Sequence, residues 1–299
     1  MASLLETKKK IKSVKQTRKI TKAMQLVSAS KMKVFQRKAV ASRQYAWDLL
    51  NVLQANLSDT EKSSFMEERS EGKTLFVIYS SEKGLCGALN TKLTKALVNS
   101  KEWKETPEAD RLLVTIGRKA EVFADYNEIP VALRFKGVKE QLTAFDALEF
   151  IKPILDYWMT GEVKQIFMVA PHYKSAIAFY PMMKTFLPFS FDMIGEHLNV
   201  EEEAEAKEIL PQKNSFIYFD PNKERVIEGL FEQIIQSLFL QSFFELKAAE
   251  YSSRMMAMQN ATDNAGEMIY DLTLSLNKAR QAKITQELTE IAGAMAAME

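Results

Sequence analysis

Apolar side chains in the last quarter of the chain recur at helical spacing, and no proline interrupts Asn222 to Glu299. One helix of that length, at roughly 1.5 Å per residue, would reach on the order of 115 Å, too far to fold back into a core of its own. Within it Ala261, Ala265, Met268, Leu272, Ser275 and Ala279 follow at alternating steps of four and three. That is the narrow seam of a coiled coil rather than the wider face of a globular helix. The partner is expected in the same chain. From Met1 to Glu71 glycine and proline are also absent, and Ile11, Val14, Ile20, Met24 and Val27 mark a second narrow stripe. After Tyr45 and Trp47 the pattern turns apolar again through Leu49, Leu50, Val52 and Leu53, and this helix is expected to end near Asn56 to Ser58.

Between the two helices the period changes. All eight prolines and seven of the ten glycines lie between Gly72 and Pro221. The runs 74–80, 112–116 and 163–170 are short, continuous and rich in strand formers, with helical spacing over 89–100 and 141–160. Strand, helix, strand, helix, strand predicts a small parallel sheet of Rossmann-like α/β type. Two later runs, 175–180 and 183–189, separated by Pro181, predict an antiparallel pair at one edge, and 215–218 a last strand. The fold class is therefore α/β, a long antiparallel coiled coil of N- and C-terminal helices with an inserted α/β domain. Its domains are 1–58, 72–221 and 222–299.

Charge adds a second asymmetry. The net charge is only +1, but thirteen Lys or Arg fall between Lys8 and Arg43, with Glu6 the single nearby acid. Glu201, Glu202, Glu203, Glu205 and Glu208 cluster near the end of the middle section. A basic helix face attracts phosphate, yet no base-reading module accompanies it and aromatics are not interleaved with the charges. A solvated face, or one set against an acidic protein partner, fits the packed stripe better. One cysteine, Cys86, excludes an internal disulfide and suits a reducing compartment. No run of about twenty uncharged apolar residues exists, since Val226 to Phe244 carries Glu228 and Glu232. Neither does Lys8 to Lys22 offer the apolar block of a secretory signal, so a soluble protein without a leader is expected.

Sheets of this kind often hold nucleotides. Here the first strand is followed by Ser80-Ser-Glu-Lys-Gly-Leu-Cys-Gly-Ala-Leu-Asn90, in which neither G-x-G-x-x-G nor the P-loop pattern can be written. Cys86 at a strand-to-helix turn is a candidate activated thiol, with His172 at a strand end as its base. A buried cysteine packing a tight turn is the plainer reading. Neither His172 nor His197 has metal-ligand spacing, so no cofactor or metal is expected. The last stretch, Ile291 to Met298, is small and apolar, which suits either a frayed terminus or a smooth point seated in a collar.

Taken together, several stretches resemble one family from end to end. Lys19-Ile-Thr-Lys-Ala-Met24, Ser28-Ala-Ser-Lys-Met32, Gly84-Leu-Cys-Gly87 with Asn90, Ala261-Thr-Asp-Asn264, Asn277-Lys-Ala-Arg-Gln281 and Ile284-Thr-Gln-Glu-Leu-Thr-Glu-Ile291 are similar to the gamma subunits of F-type ATP synthases. The sequence departs from the family's usual pattern at Glu82-Lys83, where Asp-Arg is commoner, and at Ala88, where glycine is usual. The resemblance implies a non-catalytic central-stalk rotor inside three alpha and three beta subunits. It also implies an epsilon subunit and a membrane c-ring as partners, with no nucleic acid and no membrane insertion. Localisation would be peripheral, at the cytoplasmic face of the bacterial plasma membrane. By motif match the rotor contacts to alpha and beta are Met24, Arg254, Arg280, Gln281, Thr285, Glu287 and Glu290. The readings outside the family are a thiol enzyme built on Cys86 and a standalone coiled-coil scaffold.

Overall fold

Two helices are far longer than the rest, α1 at Leu4–Asn56 and α6 at Lys223–Ala296. Both are free of proline, and α6 opens on Asn222, whose side-chain oxygen accepts the Arg225 amide at 2.9 Å, satisfying one of the orphan donors of a helix start. This computed structural model describes residues 4–57, 63–140, 142–175, 178–191 and 218–296. The chain divides into two compact units, one of Ser30–Ser253 and one of Met1–Ala29 with Arg254–Glu299. Each long helix contributes to both.

The larger unit is built on a five-stranded sheet in the order β3-β2-β1-β4-β5. β1 (Lys73–Tyr79), β2 (Arg111–Ile116), β3 (Val131–Phe135) and β4 (Val163–Tyr173) are parallel, while β5 (Phe179–Leu187) runs antiparallel to β4 at the edge. α2 (Leu89–Asn99), α3 (Lys101–Glu105) and α4 (Arg118–Tyr126) cover one face, where Phe76 of β1 meets Trp103 of α3 at 4.9 Å between ring centroids. On the other face Phe135 of β3 meets Phe150 of α5 (Ala144–Met159), and Tyr79 of β1 meets Phe239 of α6. β1 is buried from Thr74 to Tyr79, as expected of a central strand clad on both faces.

Two expectations need correction. The sequence reading lacks α4 and β3, because α4 turns only Ala120, Glu121 and Ala124 inward and β3 has just five residues. The edge pair expected over 175–189 is one strand, β5, paired with β4. Pro181 lies inside it opposite Pro171, which an edge strand tolerates because its missing N–H need not face a neighbour. The strand expected at 215–218 falls largely on residues 215–217, outside the described residues, as do His197 and the acidic cluster at 201–208.

The seam of the smaller unit is also displaced. On α6 the covered positions are Met258, Thr262, Ala265, Ile269, Leu272 and Leu276, while Met268, Ser275 and Ala279 face outward. On α1 the covered positions run through Leu4, Thr7, Ile11, Val14, Thr21 and Ser28. Ile20 and Val27 are 60% and 55% exposed. The threonines and serine enter the seam because their hydroxyls are satisfied there: Thr21 and Thr262 share a hydrogen bond at 2.7 Å, and Ser28 donates to the Met24 carbonyl at 2.7 Å. Buried hydroxyls with partners cost little.

Candidate functional site: the paired helices and the anchor of α6 in the sheet

Within the smaller unit the two helices run antiparallel, since Gln25 hydrogen-bonds Gln259, Thr21 pairs with Thr262, and Arg18 lies 3.5 Å from where a side chain at Gly266 would begin. The displaced seam leaves Ile20 and Val27 on an outward apolar stripe, with Met24 half-buried between them. Beyond Leu276 every described α6 side chain is exposed. Ile284, Leu288, Ile291 and Met295 nevertheless recur there at steps of four, three and four and make a second outward stripe.

Of the residues singled out by motif, Arg280, Gln281, Thr285, Glu287 and Glu290 all lie on this exposed segment. Their contacts are local: Thr285 donates to the Gln281 carbonyl, Lys283 and Glu287 form an i,i+4 pair at 3.7 Å, and Gln286 donates to Glu290 at 2.9 Å. Exposed pairs of that kind contribute only a few tenths of a kcal/mol, which leaves them available to another surface. Arg254 differs, being 8% exposed and so largely covered by its own chain.

In the larger unit α6 lies against the sheet face that carries Tyr79 and His172 and passes the carboxyl ends of β1 and β4. Phe231 meets Phe189 at 5.3 Å and Phe239 meets Tyr79 at 5.1 Å, both edge to face. Further along, the Ser253 hydroxyl donates to the Cys86 carbonyl at 2.5 Å. The turn that presents this carbonyl is tied by Asn90, whose side chain accepts the Ser81 amide at 3.1 Å and donates to Ser81 Oγ and Cys86 Sγ. Leu85 and Gly87 both take positive φ, 61° and 56°, and a Cβ on Gly87 would stand 3.0 Å from the Ser253 hydroxyl. Glycine there is a requirement of close approach.

Between these anchors sits a carboxylate that composition did not reveal. Glu245 is 3% exposed. Its Oε1 accepts from Gln241 Nε2 at 2.8 Å and from Arg43 Nη2 of α1 at 3.4 Å, and its Oε2 lies 3.4 Å from His172 Nδ1 of β4. Burial pushes this carboxyl up, but His172, Lys184 of β5 and Gln241 outweigh it and hold the group below the usual carboxylate range. Cys86 and His172 therefore have different partners: the thiol meets Ser81, Asn90 and the Lys83 carbonyl, whereas the imidazole faces Glu245. The arrangement does not pair a nucleophile with a base. Sheets of this order hold ligands where the strand order reverses, here between β1 and β4, and residues of α6 cover that place. Among the described residues no group of three or more His, Cys, Asp or Glu is placed to hold a metal ion.

A family model described as ATP synthase matches residues 3–298. The chain is 33% identical over 301 residues to the ATP synthase gamma chain of Pelotomaculum thermopropionicum, covering all of both chains. It belongs to the ATP synthase gamma family. Among solved structures it resembles a chain of the OSCP/F1/c-ring assembly of Euglena gracilis mitochondrial ATP synthase, with a TM-score of 0.65 and 22% identity over 99% of this chain and 94% of that one. It also resembles a chain of the Tetrahymena thermophila mitochondrial central stalk and c-ring, with a TM-score of 0.58 and 21% identity over 81% of this chain and 99% of that one. At these identities the likeness is one of fold.

The family stretches map onto contacts in the structure. Thr21, in the first, bonds Thr262, in the fourth, so two motifs far apart in sequence meet on the seam. The Gly-Leu-Cys-Gly turn receives α6 at Ser253. The last two stretches form the segment whose side chains have no covering element among the described residues. Glu245, Gln241 and His172 belong to none of the stretches; the legible signal was a glutamate directly after Phe243 and Phe244, near the end of the apolar run of α6.

Proposed function

We propose that this chain is the central-stalk rotor subunit of an F-type ATP synthase, turning inside three alpha and three beta subunits and joined to an epsilon subunit and a c-ring. Catalysis belongs to its neighbours. As a gamma-family member the chain is a peripheral part of its complex, and among the described residues no helix is long and apolar enough to cross a membrane. The cytoplasmic face of a bacterial plasma membrane is the location that suits it.

The observation that carries this reading is the pair of outward apolar stripes on the smaller unit, Ile20 with Val27 and Ile284, Leu288, Ile291 with Met295. Apolar residues repeated at seam spacing, left uncovered among the described residues, call for a partner elsewhere. Fully burying one such side chain is worth about 1.5–3 kcal/mol. Switching a neighbouring site from mostly open to mostly closed takes about 5.5 kcal/mol of differential contact. Two to four of these side chains, touching one neighbour at a time, reach that figure with no chemistry on the rotor. Met24, Arg280, Gln281, Thr285, Glu287 and Glu290 lie on or beside the stripes as the polar and adaptable part of the contact. Arg254 contributes only through its small exposed part.

The test is a reconstituted complex carrying Met24→Lys. A cation set into an apolar contact leaves a desolvated charge, so ATP-driven ion pumping should fall while ATP hydrolysis continues. Unchanged pumping per ATP would count against the placement of Met24. The broader reading predicts one copy of this chain for every three alpha and three beta subunits, and a chain that purifies without them is a scaffold instead.

A further inference from the structure

From Gln241 to Arg254 every residue of α6 is buried, on all sides of the helix. An apolar helix held in such a sleeve would have weak angular preference, because hydrophobic burial is non-directional. This stretch is not apolar. It carries Glu245, Lys247 and Glu250, each 5% exposed or less. Glu245 reaches α1 through Arg43 and β4 through His172, with Lys184 of β5 adding to the positive surroundings. On another side of the helix Lys247 pairs with Glu250 at 3.0 Å, and Tyr251 donates to Glu140 at 2.5 Å, a carboxylate that also receives Lys31 of α1.

Stability alone does not account for these groups. Buried ion pairs are often matched or exceeded in stability by apolar residues of similar volume, while breaking one leaves an uncompensated charge. Their effect is orientational. Rotating α6 by a single residue's angle would carry the Glu245 carboxylate away from Arg43, His172 and Lys184 and press it against hydrocarbon. Translation along the axis would do the same.

We propose that Glu245, with Gln241, His172, Lys184 and Arg43, is a torsional pin that fixes the rotational setting of α6 in the sheet unit, so that torque applied to that unit enters the helix without slip. This inference rests on the rotor reading above. Glu245 is a positioning residue: it acts through the angle of α6 and touches no reacting atom.

The experiment uses the assembled complex with a bead on the rotor and measures the spread of rotor angle in a paused state. Two variants are compared with the wild type: Glu245→Gln, which keeps the shape, and the combined Arg43→Met, Glu245→Leu, His172→Phe, Lys184→Met, which removes the carboxylate together with the cations that face it. Phe243→Leu, in the same sleeve, controls for loss of packing. Both pin variants should widen the angular variance beyond that of the wild type, because the directional contacts that favour one setting are gone, and Phe243→Leu should not. Wild-type variance in the combined variant, in a complex that assembles and turns over, would overturn the pin and leave the rotor reading standing. A complex that assembles and couples without this chain, or a wild-type complex that never rotates, would take both down.

Discussion

The two glycines of the Gly84-Leu-Cys-Gly87 turn should behave differently when given a methyl group. At Gly84 the nearest atoms to a new Cβ are the end of the Lys119 side chain, 3.8 and 3.9 Å away. Gly84→Ala should therefore be neutral or slightly stabilising, by up to about 1 kcal/mol, because alanine has less freedom to lose on folding. At Gly87 two costs combine. Its φ of 56° is left-handed, which costs a residue with a Cβ about 1–2 kcal/mol. The new methyl would also meet the Ser253 hydroxyl at 3.0 Å, and turning that hydroxyl away forfeits its bond to the Cys86 carbonyl, roughly 1–3 kcal/mol for a buried polar pair. Gly87→Ala should thus destabilise by about 2–5 kcal/mol. Leu85, at φ 61° in the same turn, shows that the left-handed conformation alone is tolerated where the side chain can leave for solvent, and Leu85 is 65% exposed. Urea unfolding followed by tryptophan fluorescence tests this, since Trp103 and Trp158 are both buried in this unit. In a Ser253→Ala background, which already lacks that bond, Gly87→Ala should cost only the backbone part, about 1–2 kcal/mol. Equal midpoints for Gly84→Ala and Gly87→Ala would refute the reasoning.

Asp146 closes the first turn of α5, accepting the Thr143 amide at 3.0 Å and the Lys139 ammonium at 2.5 Å. Chiefly the Lys139 hydrogen bond, then Thr143, holds its carboxyl well below the usual carboxylate range. A depressed folded pKa contributes stability that is complete above the unfolded value, near 3.9, and is lost as pH falls through the lower folded value. The difference in unfolding midpoint between wild type and Asp146→Asn should hold from neutrality down to about pH 5 and close at pH values below 3.9. Ile284→Ser with Leu288→Ser should leave unfolding of the isolated chain unchanged, since both side chains are exposed, yet lower ATP synthesis in the assembled complex; a stability loss in isolation would mean the chain itself covers them. Truncation after Met295 should be tolerated in synthesis, because only two alanines, Met298 and Glu299 follow; abolished synthesis with correct assembly would contradict that.

Much of the architecture was legible because breakers are rare in the long helices and frequent between them. The start of α6 follows from Pro221 as the last proline, and the end of α1 from the loss of apolar spacing after Leu53. The angular detail was not legible. Reading the seam through Ile20 and Val27 follows hydrophobicity, whereas the molecule places Thr21 and Ser28 inside and turns the larger side chains out. Partner hydroxyls that satisfy each other across a seam leave no trace in a hydropathy pattern, and a slip of one position rotates a stripe by about 100°. The same limit hid Glu245, whose partners come from α1, β4 and β5.

That displaced seam and the covered sheet end bear on one question, how a fold suited to holding a nucleotide can instead hold a helix. A phosphate site needs glycines that let backbone N–H groups converge on an anion and a helix start left open above the strand ends. In this chain the glycine after β1 that takes left-handed φ, Gly87, lets the Ser253 hydroxyl reach a carbonyl rather than letting amides reach a phosphate. A carbonyl that accepts a hydroxyl from α6 is an acceptor turned toward the place where an anion would need donors. Asn90, in the first turn of α2, folds back onto Ser81 and Cys86 and occupies the open start. Each substitution of role is small and local, and together they convert a ligand crevice into a socket whose occupant is the protein's own longest helix.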